Sequence, residues 1–322
     1  VATDLDIIFY DEISDVKIIK EGSTTTSAAI LYDILRKISS NSELHFDLKS
    51  ENKLSLKNEN SDFNLLCLPT NNFPTFTDEF EGSEIMLNNK RFLQLLNKTR
   101  IAISNDDTRH YLNGIYLHLT EAHGRNFLTG VATDSHRLSS CSLEIENTHD
   151  ITSLILPRKT VYQLSSLLSD SSEQLTVQTS ENKIKFTLGK MKLISKVIDG
   201  KFPDYKKVVP TTNDKTLIVS SNDFINAIER VASVSLDRKE GVKLVINKNN
   251  VQLSVNSANS GEGNEKIKAE FSSENLNISF NSKYLLDIAS EIEDKNLKMS
   301  LKDSSSPVLI EDVSDKNSYY VI

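Results

Sequence analysis

The chain has 322 residues, enough for two or three domains, and its 38% hydrophobic and 25% charged residues exclude a disordered polyelectrolyte. It has no run of 18 apolar residues to span a membrane, and Cys67 and Cys141 are too few for a disulfide framework or a zinc cluster, which makes a reducing compartment the simplest reading. The formal net charge of −8 is a poor starting point for tight nucleic-acid binding. The stretch from Val1 to Phe9 reads as a strand already in progress, without a signal-peptide pattern and without Met. A helix is predicted over 27–38, followed by the alternating runs Leu44, Phe46, Leu48 and Leu54, Leu56. A helix over 88–103 and a strand over 114–120 come next. Pro157 suits the first turn of a helix over 157–168, and Leu175, Val177 and then Ile184, Phe186, Leu188 alternate behind it. Ser221-Asn222 is the expected N-cap of a helix over 221–235, which precedes strands over 242–246 and 251–255. The last helix, over 282–292, leads into Leu297, Met299, Leu301 and Val308, Ile310. Polar segments 50–53, 180–183 and 303–306 read as hairpin turns.

Self-similarity organises these elements. Val1-Ala2-Thr3-Asp4 returns as Val131-Ala132-Thr133-Asp134, and Ser50-Glu51-Asn52-Lys53 as Ser180-Glu181-Asn182-Lys183, both 130 residues on. Phe73-Pro74-Thr75-Phe76 is echoed by Phe202-Pro203-Asp204-Tyr205 at 129. A weaker third copy lies near 123, where Tyr284-Leu285 follows Val161-Tyr162 and Tyr320-Val321-Ile322 follows Lys196-Val197-Ile198. The expectation is an α+β chain of three similar domains, 1–82, 83–210 and 211–322, each full copy carrying two helices packed on antiparallel sheets. Domain one lacks its first half in this reading, so about 45 residues are expected before Val1. The alternation slips by one residue between the first two copies, which reads as a difference in turn length.

The predicted helices sum to +5 in a chain of −8. A basic helix layer against an acidic sheet layer makes an electrostatic dipole across each domain, although the third copy does not share it.

Val131-Ala132-Thr133-Asp134-Ser135-His136-Arg137-Leu138 and Asp199-Gly200-Lys201-Phe202-Pro203-Asp204-Tyr205 resemble motifs of the bacterial DNA polymerase III β subunit family, the sliding clamps. Leu112-Asn113-Gly114 and Leu156-Pro157-Arg158-Lys159 match as well, and the resemblance covers essentially the whole chain. It implies crescents of three domains that close head to tail into a dimeric ring, with helices facing duplex DNA and sheets outside. It implies a cytoplasmic processivity factor that is no enzyme and needs no cofactor or metal. Its partners would be DNA, a second copy of itself, and the polymerase III catalytic subunit, clamp loader and other replication or repair proteins, held through short linear peptides.

The resemblance places a peptide pocket at Leu112, Thr133, Ser135, His136, Arg137, Leu138, Pro203, Lys207, Val208, Asn281, Tyr284, Val321 and Ile322, edged by Ser305 and Pro307. His136, Arg137 and Asn281 would supply its polar contacts, and Leu138→Asp is expected to abolish peptide binding while leaving the ring intact. DNA-facing residues would be Lys37, Lys90, Arg91, Lys98, Arg100, Arg109, His110, Tyr111, Arg158 and Lys159. Phe63 and Leu65 at one end and Val234 at the other would meet across the subunit interface. The chain departs from the family pattern at Lys207, where Arg is frequent, at Lys239, where some members have an aromatic, and after Ile322, where a Met-Pro-Met-Arg-like tail would follow.

Other tempting residues read blandly. Asp134, Ser135 and His136 carry the letters of a hydrolase triad, but neighbours on a strand face opposite ways. Gly261-Glu262-Gly263 lacks the context of a dinucleotide loop and reads as a polar loop. The sequons at Asn97 and Asn277 mean nothing without a secretory context. The competing readings are a hydrolase using His136, marked by turnover, and a β-rich scaffold without nucleic acid, marked by failure to form a ring.

Overall fold

The alternating runs form strands and the 3.6-period segments form helices, in the expected order. The computed structural model describes residues 1–74, 80, 82–146, 151–235 and 241–322, so Thr75, Phe76 and Lys239 lie outside the described residues. The helices are α1 (Ala28–Leu35), α2 (Asn89–Arg100), α3 (Arg158–Ser169), α4 (Ser221–Ala232) and α5 (Ser282–Ala289). Side-chain oxygens of Ser27, Asn88, Ser220 and Asn281 cap four of them by accepting bonds from first-turn amides. Ser220 therefore caps α4 in place of the expected Ser221, whose hydroxyl instead donates to the Asp294 carbonyl at 3.1 Å. The chain divides into two compact units, Val1–Glu81 and Gly82–Ile322.

In the first unit the opening run is a hairpin, Ala2–Thr3 against Ile7–Tyr10, with Leu5 at φ 79° in its turn. A four-stranded antiparallel sheet follows in the order Thr25–Thr26, Asp62–Leu68, Lys53–Lys57, His45–Ser50. Its core of Leu54, Leu65 and Cys67 is covered by Leu31 and Ile34 of α1. The one-residue slip between the first two copies is a β-bulge between Leu48 and Ser50, since the corresponding pair in the second copy runs in unbroken register.

In the second unit each copy consists of two half-repeats of strand, helix and three strands. The first half of one copy is Ser83–Leu87, α2, Gly114–Ala122, Arg125–Thr133 and Leu138–Ile145. Its second half is Leu154–Pro157, α3, Leu175–Thr179, Lys183–Leu188 and Met191–Lys196. The halves exchange first strands: Leu154–Pro157 pairs with Gly114–Ala122, and Ser83–Leu87 pairs with Leu175–Thr179. Gly114 is required at this exchange, because a Cβ there would lie 2.2 Å from the Leu156 carbonyl oxygen. The last copy repeats the plan with Leu276–Asn281 on Gly241–Asn247 and Lys215–Ser220 on Asn296–Leu301. Helix α2 packs on α3, and α4 on α5. Gly261 opens the strand Gly261–Phe271, which corrects the expected polar loop.

Leu138–Ile145 also pairs with Ser318–Val321, so the two copies share one antiparallel sheet of twelve strands. Lys98 of α2 sits beneath that junction. It is 2% exposed, its ammonium lies 2.8 Å from an Asp315 carboxylate oxygen and 3.5 Å from Glu293, and Asp312 is 4.0 Å away. This corrects the DNA-facing expectation for Lys98, whose charge is spent on carboxylates of the neighbouring copy. Burial pushes Lys98 down, but the bond to Asp315 and the surrounding carboxylates outweigh it and raise its pKa. Burial likewise pushes Asp315 up, but bonds from Lys98, the Asn317 amide and the Ser318 hydroxyl hold it below its ordinary 3.8. The Asp315 contribution is present above that ordinary value and is lost as pH falls through the lower folded one. The Lys98 contribution is full below 10.5 and is lost as pH rises through the raised folded value. Lys98→Met strands buried carboxylates and is expected to cost about 3 kcal/mol, whereas Lys98→Met with Asp315→Asn recovers part of that loss; urea denaturation of the full chain measures both.

Candidate functional site

The turn between Arg125–Thr133 and Leu138–Ile145 is built by its own side chains. The Thr133 hydroxyl donates to the Arg137 carbonyl at 2.7 Å, and Asp134 accepts the amides of His136 and Arg137, each at 3.0 Å. Ser135 takes φ 77°, a left-handed position uncommon outside glycine and Asn. Its hydroxyl accepts from Arg109 at 2.6 Å. The other Asp134 oxygen accepts from Arg137 Nε at 3.0 Å, and the His136 ring stacks toward Tyr284 with centroids 6.4 Å apart. Asp134 is thus committed to two amides and a guanidinium, and His136 faces a phenol ring.

Arg137 crosses to the other copy. Its Nη1 donates to Asp287 of α5 at 2.7 Å, and its guanidinium carbon lies 4.3 Å from the Tyr284 ring centroid. Burial raises the Tyr284 pKa, and the charge of Asp134 adds to the effect. Behind this wall Leu112, Leu138 and Val321 form one apolar cluster with Val131, Ile155, Phe202 and Tyr205. The segment carrying Phe202 is held by an aromatic stack: Tyr116 lies between His118, at 4.6 Å, and Phe202, at 5.0 Å. His118 Nε2 is 3.1 Å from the Tyr205 hydroxyl; burial pushes the His118 pKa down and the Tyr205 pKa up. His110 Nε2 is 3.1 Å from the Asp199 carbonyl, and Gly200, at φ 154°, passes so close to Tyr111 that a Cβ would lie 3.0 Å from that residue's own.

The remaining expected pocket residues form a rim or serve the backbone. Pro203, Lys207 and Val208 are exposed, Val208 at 53%, and Lys207 pairs with Asp204 at 3.1 Å. Asn281 spends its side-chain oxygen capping α5, Ser305 bonds Asp303, and the Pro307 carbonyl accepts from Asn213. Ile322 exchanges both backbone bonds with Val308. Leu138, at 2% exposure, is floor and not rim, so Leu138→Asp would bury a carboxylate in the shared sheet, which argues against the expectation that this variant leaves the ring intact.

Among the expected basic residues Lys37, Lys90, Arg91 and Lys159 are exposed. Arg100 lies over Tyr162, Arg158 donates to the Ser104 carbonyl and to Asn105, and Arg109 pairs with Asp106 at 2.9 Å. Arg109, His110 and Tyr111 therefore brace the two motif segments. Leu65 lies in the core of its own unit at 8% exposure, which corrects its expected interface role, while Phe63 and Val234 are half-buried. Among the described residues no cluster of three or more His, Cys, Asp or Glu is placed to hold a metal, and no helix is long and apolar enough to cross a membrane.

The N-terminal, central and C-terminal domain models of the DNA polymerase III beta subunit match residues 1–77, 86–204 and 206–322. The chain belongs to this family. It is 34% identical over 323 residues to the beta sliding clamp of Caulobacter vibrioides, covering 100% of this chain and 87% of that one. It is 32% identical over 320 residues to the Escherichia coli K12 clamp, covering 99% and 86%. Among solved structures it is similar to the Bartonella birtlesii sliding clamp bound to griselimycin, with a TM-score of 0.94 at 38% identity, covering 100% and 86%. It is also similar to Caulobacter crescentus pol III beta, with a TM-score of 0.92 at 34% identity and the same coverage.

The roles of Asp287 and Asp315 are not legible in the sequence, because an acidic residue on a helix or hairpin looks solvated until its partner is known. In the clamp, floor and rim separate by stability: Val208→Asp is expected to shift unfolding by less than about 0.5 kcal/mol, and Leu138→Asp to cost about 3 kcal/mol or more, as read by denaturation of the full chain.

Proposed function

We infer that this clamp is the processivity factor of a bacterial replicase: a ring-shaped homodimer that encircles and slides on duplex DNA and tethers the polymerase III catalytic subunit, the clamp loader and other replication or repair proteins. The observation that carries the reading is that the repeated architecture and all three family domains run through the whole chain. Three domains, 1–82, 83–210 and 211–322, with complementary ends associate head to tail, and a closing rotation gives a ring. Phe63 and Val234 are the interface residues in this reading. In this reading the chain is a tether and not a catalyst, and it works in the cytoplasm without a cofactor.

A ring that holds DNA topologically needs few phosphate contacts, which suits an acidic protein with a handful of exposed basic residues on its helices. The peptide site is the Thr133–Leu138 turn, Tyr284 and the Pro203 to Val208 segment over the apolar floor. A concave apolar surface with a few polar groups suits a short peptide with spaced Leu and Phe anchors.

Sedimentation should give a dimer of about 72 kDa, twice 36.1 kDa, that stays on closed circular DNA until the circle is cut. Charge reversal at Lys90, Arg91 and Lys159 should weaken loading and retention, more so as salt rises. Monomer alone at high micromolar concentration, or release from uncut circles, overturns the ring. Val208→Asp should abolish binding of a Gln/Leu/Phe-type peptide in titration without changing the dimer.

A further inference from the structure

Arg137 was expected to offer its charge to a bound peptide. Its position argues otherwise: the side chain is 8% exposed and its Nε and Nη1 are occupied by Asp134 at 3.0 Å and Asp287 at 2.7 Å. Those carboxylates belong to different copies of the repeat. Asp134 sits in the turn that carries His136, and Asp287 lies one helical turn after Tyr284 on α5, so both project on the same side of that helix. Arg137 ties the turn to the helix, and its guanidinium lies under the ring of Tyr284, which faces His136.

We propose that Asp287 is a positioning residue for peptide binding: by holding Arg137 against α5 it fixes His136 and Tyr284 as a preformed wall of the site. The proposal rests on the peptide-site reading above. The physical gain is ordering in advance. A wall already locked by a charge-assisted bond on each side of one guanidinium loses little side-chain freedom when a ligand arrives. Releasing Asp287 leaves Arg137 with Asp134 in its own turn and with the face of Tyr284, so α5 loses its charge-assisted bond to the turn and keeps only the ring contacts of Tyr284 with Arg137 and His136. The effect reaches the ligand through Arg137, and Asp287 itself makes no contact with it in this scheme.

The test is peptide titration with a Gln/Leu/Phe-type peptide on the full-length dimer, beside sedimentation and denaturation of each variant. Asp287→Asn, which keeps the shape and removes the charge, should weaken affinity about tenfold. Asp287→Glu should restore most of it. Arg137→Lys, which loses the planar fork, should show a similar loss, and Arg137→Lys combined with Asp287→Asn should lose no more than Arg137→Lys alone. Additive losses, or equal losses for Asp287→Asn and Asp287→Glu that follow a lowered unfolding midpoint, would mean a merely structural carboxylate and overturn the proposal. Abolished binding in Val208→Asp with full affinity in Asp287→Asn overturns the positioning role and leaves the site reading standing. Full affinity in both overturns the site and the positioning role together.

Discussion

The backbone pairing of Leu138–Ile145 with Ser318–Val321 is the constraint on which the second unit depends. It makes one sheet out of two, buries Leu138 against Val321, and brings the Arg137 turn to α5. A ladder of four residue pairs does not by itself resist slippage, and a one-residue slip would turn every side chain to the wrong face. Lys98 and Ser139 fix the register from below: the Ser139 hydroxyl donates to the Lys98 carbonyl, while the Lys98 ammonium reaches Asp315 just before the partner strand. An ion pair in such a place contributes less to net stability than its Coulomb attraction suggests, because both charges give up water. Its stronger effect is on alternatives, since a shifted pairing moves Asp315 away from the buried lysine that it meets at 2.8 Å in the observed register.

The copies, the helices and most strands were legible because each rests on local pattern: the offset of 130, the 3.6-residue period, and the alternation around polar turns. What escaped depends on distance along the chain. Lys98 was counted as a surface cation because its partner is 217 residues away, and a helix's net charge does not say which face each charge occupies. The bulge at Leu48 looks from the sequence like a difference in turn length, because both shift the alternation by one residue. The site was legible as motifs only. That Leu138 is floor and Val208 is rim follows from which strand covers which residue, and no spacing in the motif distinguishes them.

The exchange of first strands between half-repeats explains why each copy is one domain and not two. Neither half owns a complete sheet: the edge of Gly114–Ala122 is satisfied by a strand of the second half, and Leu175–Thr179 by a strand of the first. Half-repeats joined in this way bury the edges that would otherwise invite pairing between molecules.

That solution is complete only in the finished protein. Ser318–Val321 is made 180 residues after Leu138–Ile145, the strand it covers. At ordinary rates of ribosomal synthesis the earlier strand waits roughly ten to forty seconds with its edge and the carboxylate-seeking Lys98 uncovered. During translation the central copy is therefore a natural client for chaperones, and truncated products that stop short of Asp315 carry a sticky edge and a lysine without its Asp315 partner together.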